Sequence, residues 1–449
     1  MKGWHFLTAG AAFLSPVAPA WGAPVLFIAI DGLRPVDVHE AEAKGLKIPN
    51  LKRFLVEGSS ARAVKGVAPT ITYPSHATLV TGVSPLRHGI VSNTSFDPRQ
   101  INQGGWYWYG SDIKVDTLWD AAAGIGLTTA NVHWPVSVGI RSITWNLPQI
   151  WRTGHDDDAK LLAALATPGL IKQLEADGTR YAQGIDETID GDTNRARFAV
   201  KLIRRHRPDF TTVYLTAYDH EQHLAGPDTS QARAVLEKID ALVGELVEAQ
   251  NEARPDSVIA VASDHGFSPV DTEVNLFRAF LDAGLITLDS AGKIVGWQAM
   301  PWPSGGSAAI VLADPKDPAL ISRVADLLAR LQAQPELKID RVLDPSAIRA
   351  KGANPQASFY VGFKPGATSG AFKGANAPLL SAAAYRGTHG YLPDEPLMRS
   401  VFMVMGPDIK RGHDLGVIDM RMIAPTLASI MGARLPASEM APLDVASRP

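Results

Sequence analysis

Several short stretches of the chain are apolar at almost every position instead of at alternate ones: VLFIAID (Val25 to Asp31), TTVYLTAYD (Thr211 to Asp219), SVIAVASD (Ser257 to Asp264) and SVFMVMG (Ser400 to Gly406). Continuous runs of this kind suit strands covered on both faces, as in a parallel sheet packed between helices. Helix-period patterns separate them, over Thr193 to His206 and Ser230 to Glu252. The pattern therefore predicts an α/β fold with a mainly parallel central sheet flanked by helices. From Leu276 to Ala384 the character changes, with GGSAAIVLADP, a helical run from Ala319 to Leu331, KIDRVLDP and SFYVGFKPG. This predicts a smaller α/β cap-like insertion at 276–384 within a main unit of 21–275 and 385–449. A second, less regular insertion is expected from Asn146 to Asp192. There are no internal repeats and no low-complexity tract.

Composition narrows the class. The chain has 449 residues, 46% hydrophobic and 20% charged, so disorder is excluded and one large core is expected. Lys+Arg total 43 against 46 for Asp+Glu, a net charge of -3, and no global basic field argues for sequence-specific nucleic-acid binding. The start, MKGWHFLTAGAAFLSPVAPAWGA, has a Lys, a short apolar stretch and an Ala18-Pro19-Ala20 cleavage pattern, so 1–20 reads as a secretory signal peptide and the protein as exported, periplasmic or secreted. That stretch, broken by Pro16 and Pro19, is too short to span a bilayer, which takes about 20 apolar residues. No later run has the length of a membrane span. With no cysteine, disulfides and thiolate metal ligands are ruled out, and any metal must sit on His, Asp and Glu.

Three apolar runs deliver an Asp at their ends: Asp31, Asp219 and Asp264. In such sheets ligands bind beyond the carboxyl ends of the strands. In AYDHEQHLAGP, Asp219 and His223 are four residues apart and share a face if a helical turn begins there. Asp264 and His265 are adjacent in ASDHG, and His389 lies in YRGTHGYLP beside Gly390, where small neighbours permit close approach. Three Asp and three His suit two divalent ions of about four ligands each. Each residue alone is more often a satisfied polar core or turn residue than a ligand, and the spacing of all six by itself leaves both readings open. A pair of ions would clamp an in-line displacement at phosphorus and activate a hydroxyl. In ITYPSHATLVTG, with Thr70 just before it, a threonine hydroxyl needs such activation to become a nucleophile. No G-x-S-x-G elbow, no phosphate-binding G-x-x-x-x-G-K-[ST] loop and no H-E-x-x-H helix occurs.

Taken in order, AIDGLRP, PTITYPSHATLVTGVSPLRHGIVSN, YLTAYDHEQHLAGP, ASDHG and GTHG resemble the nucleotide pyrophosphatase/phosphodiesterase family of the alkaline phosphatase superfamily. The resemblance implies an alkaline-phosphatase-like fold, with 21–275 and 385–449 as the phosphodiesterase catalytic core. It implies Thr72 as nucleophile and two ions, zinc in the family. One ion would be held by Asp31, Thr72, Asp264 and His265, the other by Asp219, His223 and His389. Asn93 matches the asparagine that hydrogen-bonds a phosphate oxygen, and Tyr73 and Tyr214 match aromatic positions beside the substrate. Ser75 departs from the family's usual Asn, a change of support around Thr72. The implied reaction passes through a phosphothreonine, with net retention at phosphorus, on a small phosphodiester, a nucleotide above all. Sulfatases need a modified Cys or Ser followed by a spaced Arg, which is missing, and phosphomonoesterases of the superfamily usually pair Ser with an Arg clamp.

Two other readings stay open. A phosphonate hydrolase or a lipid-headgroup (choline-type) phosphodiesterase would use the same scaffold, with Tyr73, Tyr214 and the WYWY stretch from Trp106 to Tyr109 shaping the pocket. An inactive metal-binding scaffold is disfavoured, because every ligand position and Thr72 are filled.

Overall fold

The computed structural model describes residues 22–101, 104–150, 157–184 and 186–447. The signal-peptide reading of 1–20 lies outside the described residues.

Eight strands form the central sheet: β1 (Val25–Ile30), β2 (Gly58–Ser60), β3 (Thr129–Val132), β4 (Trp145–Leu147), β5 (Phe210–Leu215), β6 (Val258–Ala262), β7 (Phe402–Met405) and β8 (His413–Asp414). Their spatial order is β8-β2-β7-β6-β1-β5-β3-β4. β6, β1, β5, β3 and β4 run parallel, and β7 is antiparallel to both neighbours. Ile30 pairs with Leu215 and Ala29 with Ala262, so the carboxyl ends of the three central strands lie level.

Why the runs are apolar throughout follows from the two faces. Leu26, Ile28 and Ile30 point into one core cluster, with Val213, Leu215, Ile259 and Val261. Val25, Phe27 and Ala29 point into another, with Phe210, Tyr214, Val258 and Ala260. The first cluster takes the buried faces of the helices Ile189–His206 and Ser230–Ala253. The second takes those of Thr72–Thr81, Leu118–Gly124 and Ile423–Ile430. In chain order the helices used below are α1 (Thr72–Thr81), α2 (Leu118–Gly124), α3 (Ile189–His206), α4 (Ala217–Ala225), α5 (Ser230–Ala253), α6 (Pro318–Gln332) and α7 (Ile423–Ile430). Helices on both faces of a mostly parallel sheet make the expected three layers.

Side-chain caps fix several helix starts. Thr117 and Asp120 form a reciprocal capping box on α2, Thr188 accepts from Gly191 N–H at the start of α3, and Thr229 accepts from Ala232 N–H on α5. α3 accordingly begins four residues before the Thr193 expected from periodicity, because its polar first turn carries Asp190 and Asp192.

Between β6 and β7 the chain builds a separate four-stranded antiparallel sheet, in the order Ala299–Pro303, Ser307–Leu312, Phe359–Phe363, Ile339–Leu343. It has its own apolar cluster, in which α6 buries Leu320, Val324, Leu327 and Leu328. The strand Ser268–Val274 leads out of the site and pairs with the returning Gly387–Thr388, Ser268 opposite Thr388. That pairing brings His389 back beside His265. No described helix is long and apolar enough to cross a membrane.

Candidate active site

Asp31 follows β1 directly, and Asp264 and His265 follow β6 by two and three residues. Asp219 and His223 are not at a strand end: β5 stops at Leu215, and both residues sit on α4, four apart on one face. The apolar pattern runs on through Ala217 and Tyr218 because the start of α4 is itself buried. Its backbone is held by the carboxylate of Asp192 on α3, which accepts from Thr216 N–H at 3.0 Å and Ala217 N–H at 2.8 Å. Arg195, fully buried, pairs with Asp192 at 2.5 Å and donates to Thr216 Oγ1 at 2.7 Å.

These placements gather the six predicted ligands into two groups, Asp31 with Asp264 and His265, and Asp219 with His223 and His389. Within each, one ligand atom per residue lies within 4.8 Å of the others. His265 Nε2 is 3.3 Å from Asp31 Oδ1 and 3.2 Å from Asp264 Oδ2. In the second group Asp219 Oδ2 is 3.3 Å from His223 Nε2, and Asp219 Oδ1 is 3.6 Å from His389 Nε2. The rings of His265 and His389 stack, centroids 3.6 Å apart, and join the groups.

The donor chemistry fits cations. Each of the three histidines turns Nδ1 to a backbone carbonyl: His223 to Gly387 at 2.9 Å, His265 to Gly266 at 3.1 Å and His389 to Thr70 at 3.2 Å. A carbonyl only accepts, so Nδ1 carries the proton and Nε2 presents its lone pair to the centre, the arrangement of metal-binding histidines. Asp31 Oδ1, Asp219 Oδ1, Asp264 Oδ2 and His265 Nε2 are buried without a hydrogen-bond partner. Such orphaned atoms are costly unless a cation meets them.

The electrostatics agree. Burial, then the charges of Asp219 and Asp264, raise Asp31 well above the ordinary carboxylate range. Burial and Asp219 push Asp264 up to about 7. Burial also works against Asp219, but His223, His389 and His265 hold it below that range. Burial lowers His389 to about 4 and His265 well below its usual value. Carboxylates this close resist sharing negative charge, and a divalent cation removes that conflict.

Thr72 is the first residue of α1, and its side chain opens onto the same cleft. Its carbonyl accepts from His76 Nδ1–H at 2.9 Å. Asn93 lines the cleft and accepts from Tyr73 N–H through Oδ1 at 2.9 Å, which leaves its amide N–H groups to donate. Tyr214 is buried, with its hydroxyl donating to Asp31 Oδ2, and Tyr73 packs its ring 5.3 Å from that of Trp106. Ser75 is buried, with its hydroxyl unpartnered. The cleft also takes in Gln149, Glu187, His220 and Tyr385, which sequence reasoning passed over. His220 stood inside a quoted motif, but Gln149 and Glu187 lie in the segment that read as irregular, and no spacing marks them.

A family model described as type I phosphodiesterase / nucleotide pyrophosphatase matches residues 25–359. Human ectonucleotide pyrophosphatase/phosphodiesterase family member 1 is 25% identical over 254 residues, 54% of this chain and 23% of that protein. Venom phosphodiesterase of Naja atra is 24% identical over 255 residues, 55% of this chain and 26% of its own length. The matched segment thus spans about a quarter of these relatives. The structure of human ectonucleotide pyrophosphatase/phosphodiesterase 5 superposes with a TM-score of 0.63 at 18% identity, over 91% of this chain and 95% of that one. An inactive variant of the murine protein, in complex with AMP, gives 0.64 at 17% identity, over 92% of this chain and 96% of that one. These likenesses show the fold, α/β and alkaline-phosphatase-like.

Proposed function

We propose a function on the premise that the chain belongs to the type I phosphodiesterase / nucleotide pyrophosphatase family: it is a metal-dependent hydrolase of phosphodiester or pyrophosphate bonds in nucleotides, acting through a phosphothreonine at Thr72. The observation that carries the reading is two groups of Asp and His side chains, all buried but the partly exposed His223, beside a threonine at a helix N-terminus in one cleft. Nucleotides are favoured as substrates because the matched relatives are named for them and a murine structural neighbour is in complex with AMP. Export through 1–20 belongs to the same proposal and accords with ecto- and venom enzymes among the relatives.

Asp31, Asp264 and His265, with Thr72, would hold one ion, and Asp219, His223 and His389 the other; oxygen and nitrogen donors alone suit zinc. Bound there, such ions lower the pKa of a hydroxyl and neutralise charge developing on phosphoryl oxygens. The remaining work falls to the chain. Thr72 Oγ1 forms the new bond to phosphorus while the bond to the leaving oxygen breaks, and water then cleaves the threonine ester. Asn93 donates to a non-bridging oxygen, and the α1 N-terminus adds its positive dipole end. Tyr214 fixes the rotamer of Asp31 through its hydroxyl. One asparagine and a helix dipole suit a diester, which carries one charge fewer than a monoester. Two inversions predict net retention at phosphorus.

The test is Thr72→Ala on zinc-loaded protein. Hydrolysis of a nucleoside monophosphate aryl ester should fall below detection while zinc content and melting stay close to wild type. Substantial turnover by that variant would overturn the covalent reading.

A further inference from the structure

Three carboxylates line the cleft among the described residues, Asp31, Asp219 and Glu187, and Glu187 is the one outside both ligand groups. Its side chain is 36% exposed, with Oε2 3.1 Å from His220 Nδ1. A carboxylate accepts at about four sites, so this pairing leaves Glu187 acceptor capacity. Its charge reaches Tyr73: after burial, Glu187 is the cause that raises the Tyr73 phenol. Glu187, Tyr73 and Trp106 line the same cleft, with the two aromatic rings 5.3 Å apart.

Gln149 adds the second observation. It follows β4, is 2% exposed, lines the cleft, and its Oε1 is buried without a hydrogen-bond partner. An acceptor in that state is satisfied when a bound group brings an N–H donor to it. Among the described lining residues there is no Lys or Arg to offer one. The cleft thus sets acceptors beside aromatic rings. Tyr73 is itself buried, but a planar ring can stack on the partly exposed Trp106, which sets its edge towards the acceptors.

We propose that Glu187 and Gln149 form a base-reading subsite that selects nucleotides whose base carries an exocyclic amino group over those that present a keto oxygen there. This rests on the nucleotide phosphodiesterase reading above. Glu187 sets the sign, because a carboxylate accepts from an amino group, as it does from cytosine N4, and repels a keto oxygen. Gln149 strengthens the choice by presenting Oε1.

Cytidine and uridine isolate the effect, since the two bases match in size and differ at position 4. The experiment measures kcat/KM of the zinc-loaded full chain for p-nitrophenyl esters of CMP and UMP, with bis(p-nitrophenyl) phosphate as a probe without a base. The expected cytidine-to-uridine ratio is about tenfold or more. Glu187→Gln, which exchanges the charge for a donor, should bring it close to one. If that variant does not fold, Gln149→Leu should still lower the ratio severalfold. A wild-type ratio near one, a ratio unchanged in a folded variant, or faster cleavage of p-nitrophenyl phosphorylcholine than of either nucleoside ester would overturn the subsite. Cleavage of none of the probes would instead overturn the hydrolase reading beneath it.

Discussion

Ser75 lies in the first turn of α1, three residues beyond Thr72, with a buried hydroxyl that finds no hydrogen-bond partner. An unsatisfied buried hydroxyl costs about 1–3 kcal/mol. Ser75→Ala should therefore keep or raise stability by about 1 kcal/mol in a denaturant titration, and a loss of more than that would mean Ser75 is bonded in solution. His88 makes the opposite case, a polar group fully used. Its Nδ1 accepts from Ile90 N–H at 3.1 Å, so Nε2 carries the proton towards Thr78 Oγ1, also at 3.1 Å. Only the neutral ring fits, and burial lowers its pKa to about 3. Between the unfolded value of about 6.5 and that figure the unfolded chain binds a proton that the folded chain refuses, so stability falls as pH falls, by up to about 1.4 kcal/mol per pH unit. Denaturant titrations of metal-free protein from pH 7 to 4 should show a shallower slope for His88→Gln; parallel slopes would contradict this. At this scale the six Asp and His candidates stood out in the sequence because apolar runs lead to Asp31, Asp219 and Asp264 and short motifs hold His223, His265 and His389, although Asp219 and His223 lie on α4 and not at a strand end. Gln149 and Glu187 did not stand out, since a lone acceptor acquires meaning only when the fold leaves it unpaired.

Among elements, the parallel strands β1, β5 and β6 were legible from their unbroken apolar runs, and α5 from its period, to within a residue of its end. The boundary between β5 and α4 was hidden. Nothing local ends the run at Leu215; the helix starts there because Asp192, on a different helix, accepts from its first backbone N–H groups. Asp192 and Arg195 form a fully buried pair, and removing one member of such a pair costs about 3–5 kcal/mol by leaving a charge uncompensated. Asp192→Ala should lose stability on that order and, because α4 carries Asp219 and His223, bind zinc more weakly at that group. Unchanged zinc affinity in a destabilised protein would separate the cap from the site.

For the molecule as a whole, we propose that 276–384 is an insertion into a core of 21–275 and 385–449. No described residue of the insertion lines the cleft; instead Gly306 N–H donates to the His389 carbonyl at 2.7 Å and Ser307 Oγ to the Gly390 carbonyl at 2.5 Å. A Cβ at Gly306 would meet the Tyr391 ring at 2.3 Å, so this close approach requires glycine. The insertion thus grips the loop that returns His389 to the Asp and His side chains that follow β1 and β6 and lie on α4. Such an assembly of distant segments predicts one activity that depends on all of them. The most direct measurement compares kcat/KM for a p-nitrophenyl ester of a nucleoside monophosphate with that for p-nitrophenyl phosphate, on zinc-loaded protein, after chelation, and after zinc is restored. The account predicts a strong preference for the diester, lost on chelation and regained with zinc. Preference for the monoester, or diester cleavage indifferent to chelation, would contradict it.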